Sequence, residues 1–186
     1  MKYSVRRGLL AVALVAVLTA CSRSGDAPKG FVRFQDPENR FTLIHPDTWA
    51  FNLDPKGAVR LSDPADPTYQ VSVVISDAPR KEVKDITAFG SPKQVADRFV
   101  NQVLKPKSPP GTKIELLAPK ERRDAKGNVY YSFEIIQANQ GRASHLLYCL
   151  SLDKGKVYTL VTGSSAVGWL NRQEAVYKIA DSFQVS

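Results

Sequence analysis

Cysteine, histidine and tryptophan are scarce in this chain, two of each, and there is a single methionine. Two cysteines cannot build the multi-bridge framework that staples small secreted folds. Two histidines, with no HExxH and no paired CxxC, leave no zinc site specified by spacing. No GxSxG, Walker loop or GxGxxG occurs, so nucleophilic, phosphoryl and hydride chemistry lack the motifs that usually set their geometry, and no enzyme activity is expected. Glu115, Glu121 and Glu134 serve as readily as solvated strand-face groups as they would as catalysts. Nor does any apolar run reach the roughly 20 residues needed to cross about 30 Å of hydrocarbon. The longest, Gly8 to Ala20, is too short to span.

What that run does have is a positive flank, Lys2, Arg6 and Arg7, and small residues Thr19 and Ala20 at its end, the pattern of a secretory signal. Leu18-Thr19-Ala20-Cys21 resembles the bacterial lipobox, in which the cysteine is diacylated and the preceding peptide removed. We therefore expect a lipoprotein signal peptide over 1–20, lipidation at Cys21, and a flexible tether over 21–29, because Ser22 to Lys29 holds little that can be buried. One acyl chain gives marginal membrane attachment, whereas two or three, at about 0.8 kcal/mol per buried methylene, hold firmly. The alternative is an ordinary signal whose removal leaves a free Cys21 on a soluble protein. With Cys21 lipidated, Cys149 has no intrachain partner and no disulfide is expected. Within the run Leu146 to Leu152, Cys149 reads as a small buried hydrophobe, with no motif to supply an activating base.

The remainder is of one-domain size and long enough to bury a substantial core. The net charge, +8 with the leader included, is spread along the chain. Its densest groups, Lys105 with Lys107 and Lys120-Glu121-Arg122-Arg123, read as solvated loops without interleaved aromatics, so no nucleic-acid partner is expected. An acidic protein or membrane surface suits this charge better.

Alternation marks a hairpin, Phe31 to Phe34 and Arg40 to Ile44 around Asp36-Pro37-Glu38-Asn39, followed by a corner at His45-Pro46-Asp47-Thr48-Trp49. Strands follow at Ala58 to Leu61 and Gln70 to Ser76, with Val71, Val73 and Ile75 on one face. Asp77 to Gly90 lacks periodicity and reads as a surface connection. Ser91 then caps a helix with Pro92 at its first position and Gln94 completing a capping box. Val95, Ala96, Phe99, Val100, Val103 and Leu104 give it an apolar face, and Lys105-Pro106 is expected to end it. Lys113 to Leu117, Val129 to Gln137, Ala143 to Leu152 and Lys156 to Ser164 read as strands, separated in part by short glycine-containing links that favour antiparallel neighbours. A last helix, Leu170 to Phe183, places Val176, Ile179, Ala180 and Phe183 on its apolar side. With one helix for each face of the sheet, the fold class is α+β, a three-layer α/β/α sandwich around an antiparallel sheet.

In order, "GFVRFQDPENRFTLIHPDTW", "VSVVIS", "ITAFGSPKQVADRFVNQVL", "NVYYSFEI", "GKVYTLVTGSS" and "WLNRQEAVYKIADSFQV" resemble the PsbP domain of photosystem II-associated proteins, over about residues 30–186. With the lipobox, the chain is most similar to the cyanobacterial lipoprotein type of that family. The resemblance implies a PsbP/Mog1-like fold and a non-enzymatic accessory protein of photosystem II, acting in assembly, stabilisation or maintenance. It implies the lumenal face of the thylakoid membrane as location, with reaction-centre or assembly subunits as partners, the lipid on Cys21 as anchor and a monomeric state. Calcium binding is a family-level expectation. The long extra amino-terminal segment with which plant members act in calcium and chloride retention is missing here. The alternative is a general bacterial envelope lipoprotein of Mog1-like fold, metal-binding and without a photosynthetic partner.

No cofactor is required by this reading, although some family members bind zinc or manganese. The candidate ligands are His45 and Asp47, two residues apart in the corner and open to a carboxylate from Asp63 or Asp66, and separately His145. Among the aromatics Trp49, Tyr130, Tyr131, Tyr148, Tyr158 and Trp169, most alternate with apolar residues and read as core. Trp169, after Gly168, is expected to be partly exposed and is the partner-binding candidate.

Overall fold

A computed structural model of the chain describes residues 27–38, 40–53, 58–80 and 82–186. The expected signal peptide, Cys21 and most of the tether lie outside them. Strands β1 (Phe31–Gln35) and β2 (Phe41–Pro46) form the expected antiparallel hairpin. The buried Asp36 carboxylate organises its turn, accepting from the backbone N–H groups of Glu38 and Arg40 and, at 2.8 and 2.9 Å, from the Arg40 guanidinium.

The main sheet contains β3 (Ala50–Leu53), β4 (Val59–Ser62), β5 (Gln70–Asp77), β6 (Lys113–Arg123), β7 (Val129–Asn139), β8 (Arg142–Asp153) and β9 (Lys156–Ser165). Their order is β3-β4-β5-β9-β8-β7-β6, and every pairing is antiparallel. Because side chains alternate across a strand, each central strand serves two cores. On one face Val71, Val73, Leu147 and Leu160 pack with Val176, Ile179 and Phe183 around helix α3 (Trp169–Ser182), and with Phe41 and Leu43 of the hairpin. On the other, Tyr131, Phe133, Ile135 and Leu150 pack with Val95, Ala96 and Val100 of helix α1 (Pro92–Phe99) and its continuation. Each buried valine, leucine, isoleucine or phenylalanine among them contributes about 1.5–3 kcal/mol. The three-layer α/β/α sandwich is thus present, with a small second sheet beside α3.

Several elements differ from expectation for identifiable reasons. The capping box forms as read, with Ser91 and Gln94 bonding each other's backbone. The helix, however, does not stop at Lys105-Pro106. A proline lacks an N–H and its ring crowds the carbonyl four residues back. Here a π-helical turn (Val100–Leu104) widens the coil, the Lys105 N–H reaches Val100 O, and a last turn α2 (Lys105–Lys107) accommodates the proline. The Asp77–Gly90 connection is not wholly superficial: it buries Ala78 and, in a 3-10 turn (Ile86–Phe89), Ile86. Strand β6 runs on to Arg123 through a bulge between Leu117 and Lys120, where Ala118 takes a positive φ of 47°. Lys120 to Arg123 are therefore strand residues rather than loop. Arg122 lies 3.8 Å from the Tyr130 ring and donates to the Ala180 and Phe183 carbonyls, satisfying the last turn of α3. Strand β10 (Gln184–Val185), too short to read in sequence, pairs with β2 to complete the small sheet β1-β2-β10.

Candidate functional site

Strands β7 and β8 are joined by a tight link, and their register pairs Ile136 with His145 and Glu134 with Leu147. Glu134 and His145 are therefore diagonal neighbours on the α3 face. Both are buried, and His145 Nε2 lies 2.7 Å from Glu134 Oε2. The other carboxylate oxygen accepts from the Tyr177 hydroxyl of α3 at 2.8 Å. Burial, reinforced by Glu134, pushes the Tyr177 phenol up to about 12, so it remains a neutral donor. The indole of Trp169 lies on the His145 ring, centroids 3.6 Å apart and planes within 15°, and Tyr177 meets that indole edge-on. Lys120 Nζ sits 5.5 Å from the centroid of the Tyr177 ring.

This arrangement ties two strands of the sheet to α3. Both Glu134 oxygens have partners, and Trp169 covers one face of the imidazole. The neighbouring hydroxyl of Ser164, opposite His145 in β9, donates to the Ser165 carbonyl rather than to the ring. A second tie holds the same end of α3: Arg172 pairs with Asp66 and lies 4.7 Å from the centroid of the Tyr69 ring. What the clamp positions is the turn ahead of α3. Its cap, Gly168, offers no side-chain bond, and the flanking Val167 and Leu170 are 95% and 77% exposed. Trp169 itself corrects the expectation of partial exposure, since only 7% of it reaches solvent. A tryptophan at the first helical turn can point inward while the residues on either side of it point out.

The two histidines sit in separate surroundings. His45 Nδ1 lies 2.8 Å from Pro46 O, with its ring stacked beside Trp49. Burial holds its pKa below the usual value, against the opposing effects of the Pro46 carbonyl and Asp47. Asp66 is committed to Arg172, and Asp63 accepts from Ala65 within its own turn. Among the described residues no group of three or more His, Cys, Asp or Glu side chains could hold a metal ion, so His45, Asp47 and His145 are not assembled into one. Cys149 is fully buried, and that burial pushes its thiol up to about 11 despite Arg122. Among the described residues, no helix is long and apolar enough to cross a membrane. Sequence reasoning missed the Glu134–Tyr177 bond and the role of Arg122. The His145–Glu134 proximity was available from counting outward along the β7–β8 hairpin.

Comparison with known proteins agrees with this architecture. The PsbP family profile matches residues 29–185. PsbP-like protein 1, chloroplastic, from Arabidopsis thaliana is 27% identical over 165 residues, covering 89% of this chain and 69% of that protein. CyanoP from Thermosynechococcus vestitus is 25% identical over 184 residues, 92% of each. The solution structure of CyanoP from Synechocystis sp. PCC 6803 shares the fold, with a TM-score of 0.70 at 22% identity, covering 91% of this chain and 99% of that one. The chain belongs to the PsbP family.

Proposed function

We propose that this protein is a non-enzymatic accessory module of photosystem II, anchored by lipid on Cys21 to the lumenal side of the thylakoid membrane and docking on reaction-centre or assembly subunits. The observation that carries this reading is the extent of the family match, residues 29–185, which takes in the whole sandwich rather than a grafted segment. The geometry suits a docking role. A buried clamp of Glu134, His145, Tyr177 and Trp169 fixes a turn that presents Val167 and Leu170 to solvent. Apolar groups held rigidly lose little conformational entropy on association. The anchor raises the local concentration of the domain at the membrane, which strengthens a weak second contact.

The test is affinity capture of the full chain from membranes of its source organism. Photosystem II reaction-centre subunits should co-purify, and recovery should fall when Cys21→Ala releases the protein from the membrane or when Val167→Asp and Leu170→Asp charge the exposed turn. Failure to recover any photosystem II subunit would overturn the proposal and leave a general envelope lipoprotein. Undiminished recovery with the charged turn would overturn the assigned docking surface.

A further inference from the structure

On the sheet face opposite α3, between α1 and the 3-10 turn, an apolar cleft of about 360 Å³ is lined by Phe89, Phe99, Val103 and Leu150, with Arg80 and Arg98 also in its wall. Among the described residues, no acidic side chain lines it. Asp97, on the same helix, is paired with Lys93. Neither Arg80 nor Arg98 has an ion-pair or hydrogen-bond partner among the described residues. Both are exposed, as is Pro79 at the rim, while the rest of the apolar lining is half-buried or buried. Uncommitted arginines in the wall of an apolar cleft offer a counter-charge to a carboxylate joined to an apolar tail, because the guanidinium fork matches carboxylate geometry.

The floor argues against a peptide. Leu150 and Val157 come from β8 and β9, central strands bonded on both edges, so no open strand edge is offered to a peptide backbone. The volume stands near the lower end of small-ligand sites, which fits one chain rather than a two-chain lipid. We propose that this cleft binds a single-chain fatty carboxylate, held by the apolar lining and by Arg80 and Arg98. It lies across the sheet from the Val167–Leu170 turn, so it stands or falls separately from the photosystem docking surface.

The experiment uses the full chain in nanodiscs and a dodecanoate carrying a photoactivatable diazirine, with adducts mapped by peptide mass spectrometry. Adducts should concentrate in residues 86–103 and 150–157, and be displaced by dodecanoate but not by equal dodecanol. Arg80→Gln combined with Arg98→Gln should lower capture by about tenfold or more, the loss expected when charge-assisted contacts go, with the far-ultraviolet spectrum unchanged. Val103→Trp, which fills the cleft, should abolish capture; should that variant not fold, the exposed arginine pair still decides. Adducts spread over other surfaces, equal displacement by dodecanol, or full capture by the double variant would overturn the assignment. So would stronger displacement by an apolar peptide with a free carboxyl terminus.

Discussion

Truncating Trp169 to alanine separates a structural clamp from an exposed recognition side chain. The indole is 7% exposed, lies 3.6 Å from the His145 ring centroid and packs edge-on against Tyr177. Its removal forfeits the transfer energy of a large aromatic, opens a cavity and uncovers the buried Glu134–His145 pair. For a buried tryptophan these terms sum to about 3–5 kcal/mol. In a domain of this size each kcal/mol moves Tm by roughly 2–4 °C, so the midpoint should fall by about 6–20 °C. Urea unfolding followed by Trp49 fluorescence and thermal unfolding by circular dichroism measure the two quantities. Leu170→Ala, one residue on and 77% exposed, is the control and should stay within about 0.5 kcal/mol of the parent. A Trp169→Ala loss below about 1 kcal/mol, or an equal loss in Leu170→Ala, would refute the assignment of the clamp.

Three further outcomes follow from individual sites. A Cβ on Gly163 would run into the His145 carbonyl oxygen, where backbone and not a flexible side chain must yield, so Gly163→Ala should cost about 3 kcal/mol in urea unfolding; a neutral substitution would contradict the β8–β9 register. The Cys149 thiol, fully buried and pushed up to about 11 by burial, should resist a thiol reagent in the folded state and react at full rate in denaturant; rapid modification of folded protein would contradict its placement. His45, held below its ordinary value of about 6.5 by burial, favours the fold fully above that value, and this contribution declines as pH falls toward the folded pKa, because only the unfolded chain then takes up the proton. His45→Gln should therefore lose less stability than the parent between pH 7.5 and 5.5, and an identical pH slope would contradict that account.

The fold was legible where local chemistry and tertiary need agree. Ser91, Pro92 and Gln94 carry a complete helix start within four residues, and the α3 face follows from spacing alone. The read fails where context overrides a local signal. Pro106 stops a helix by its own stereochemistry, but a π turn before it removes the conflict. The charged run Lys120 to Arg123 has the composition of a loop, yet Tyr130 and the open carbonyls of α3 give Arg122 partners inside the structure. Strand β10 spans two residues, below any periodicity, and is fixed instead by β2 and by the Tyr130 hydroxyl accepting from Val185 N–H. For the candidate site, His145 and Glu134 could be placed together from the hairpin count. The inward turn of Trp169 and the reach of Tyr177 depend on how α3 lies on the sheet, which no sequence interval encodes.

The most direct measurement places a photoreactive phenylalanine analogue at Leu170 and, separately, at Val74, which is 46% exposed on the opposite sheet face. Irradiation of intact membranes containing the full, tethered chain should join position 170 to a photosystem II subunit while position 74 gives no such adduct. Adducts from position 74 alone, or from neither site, would contradict docking through the turn ahead of α3.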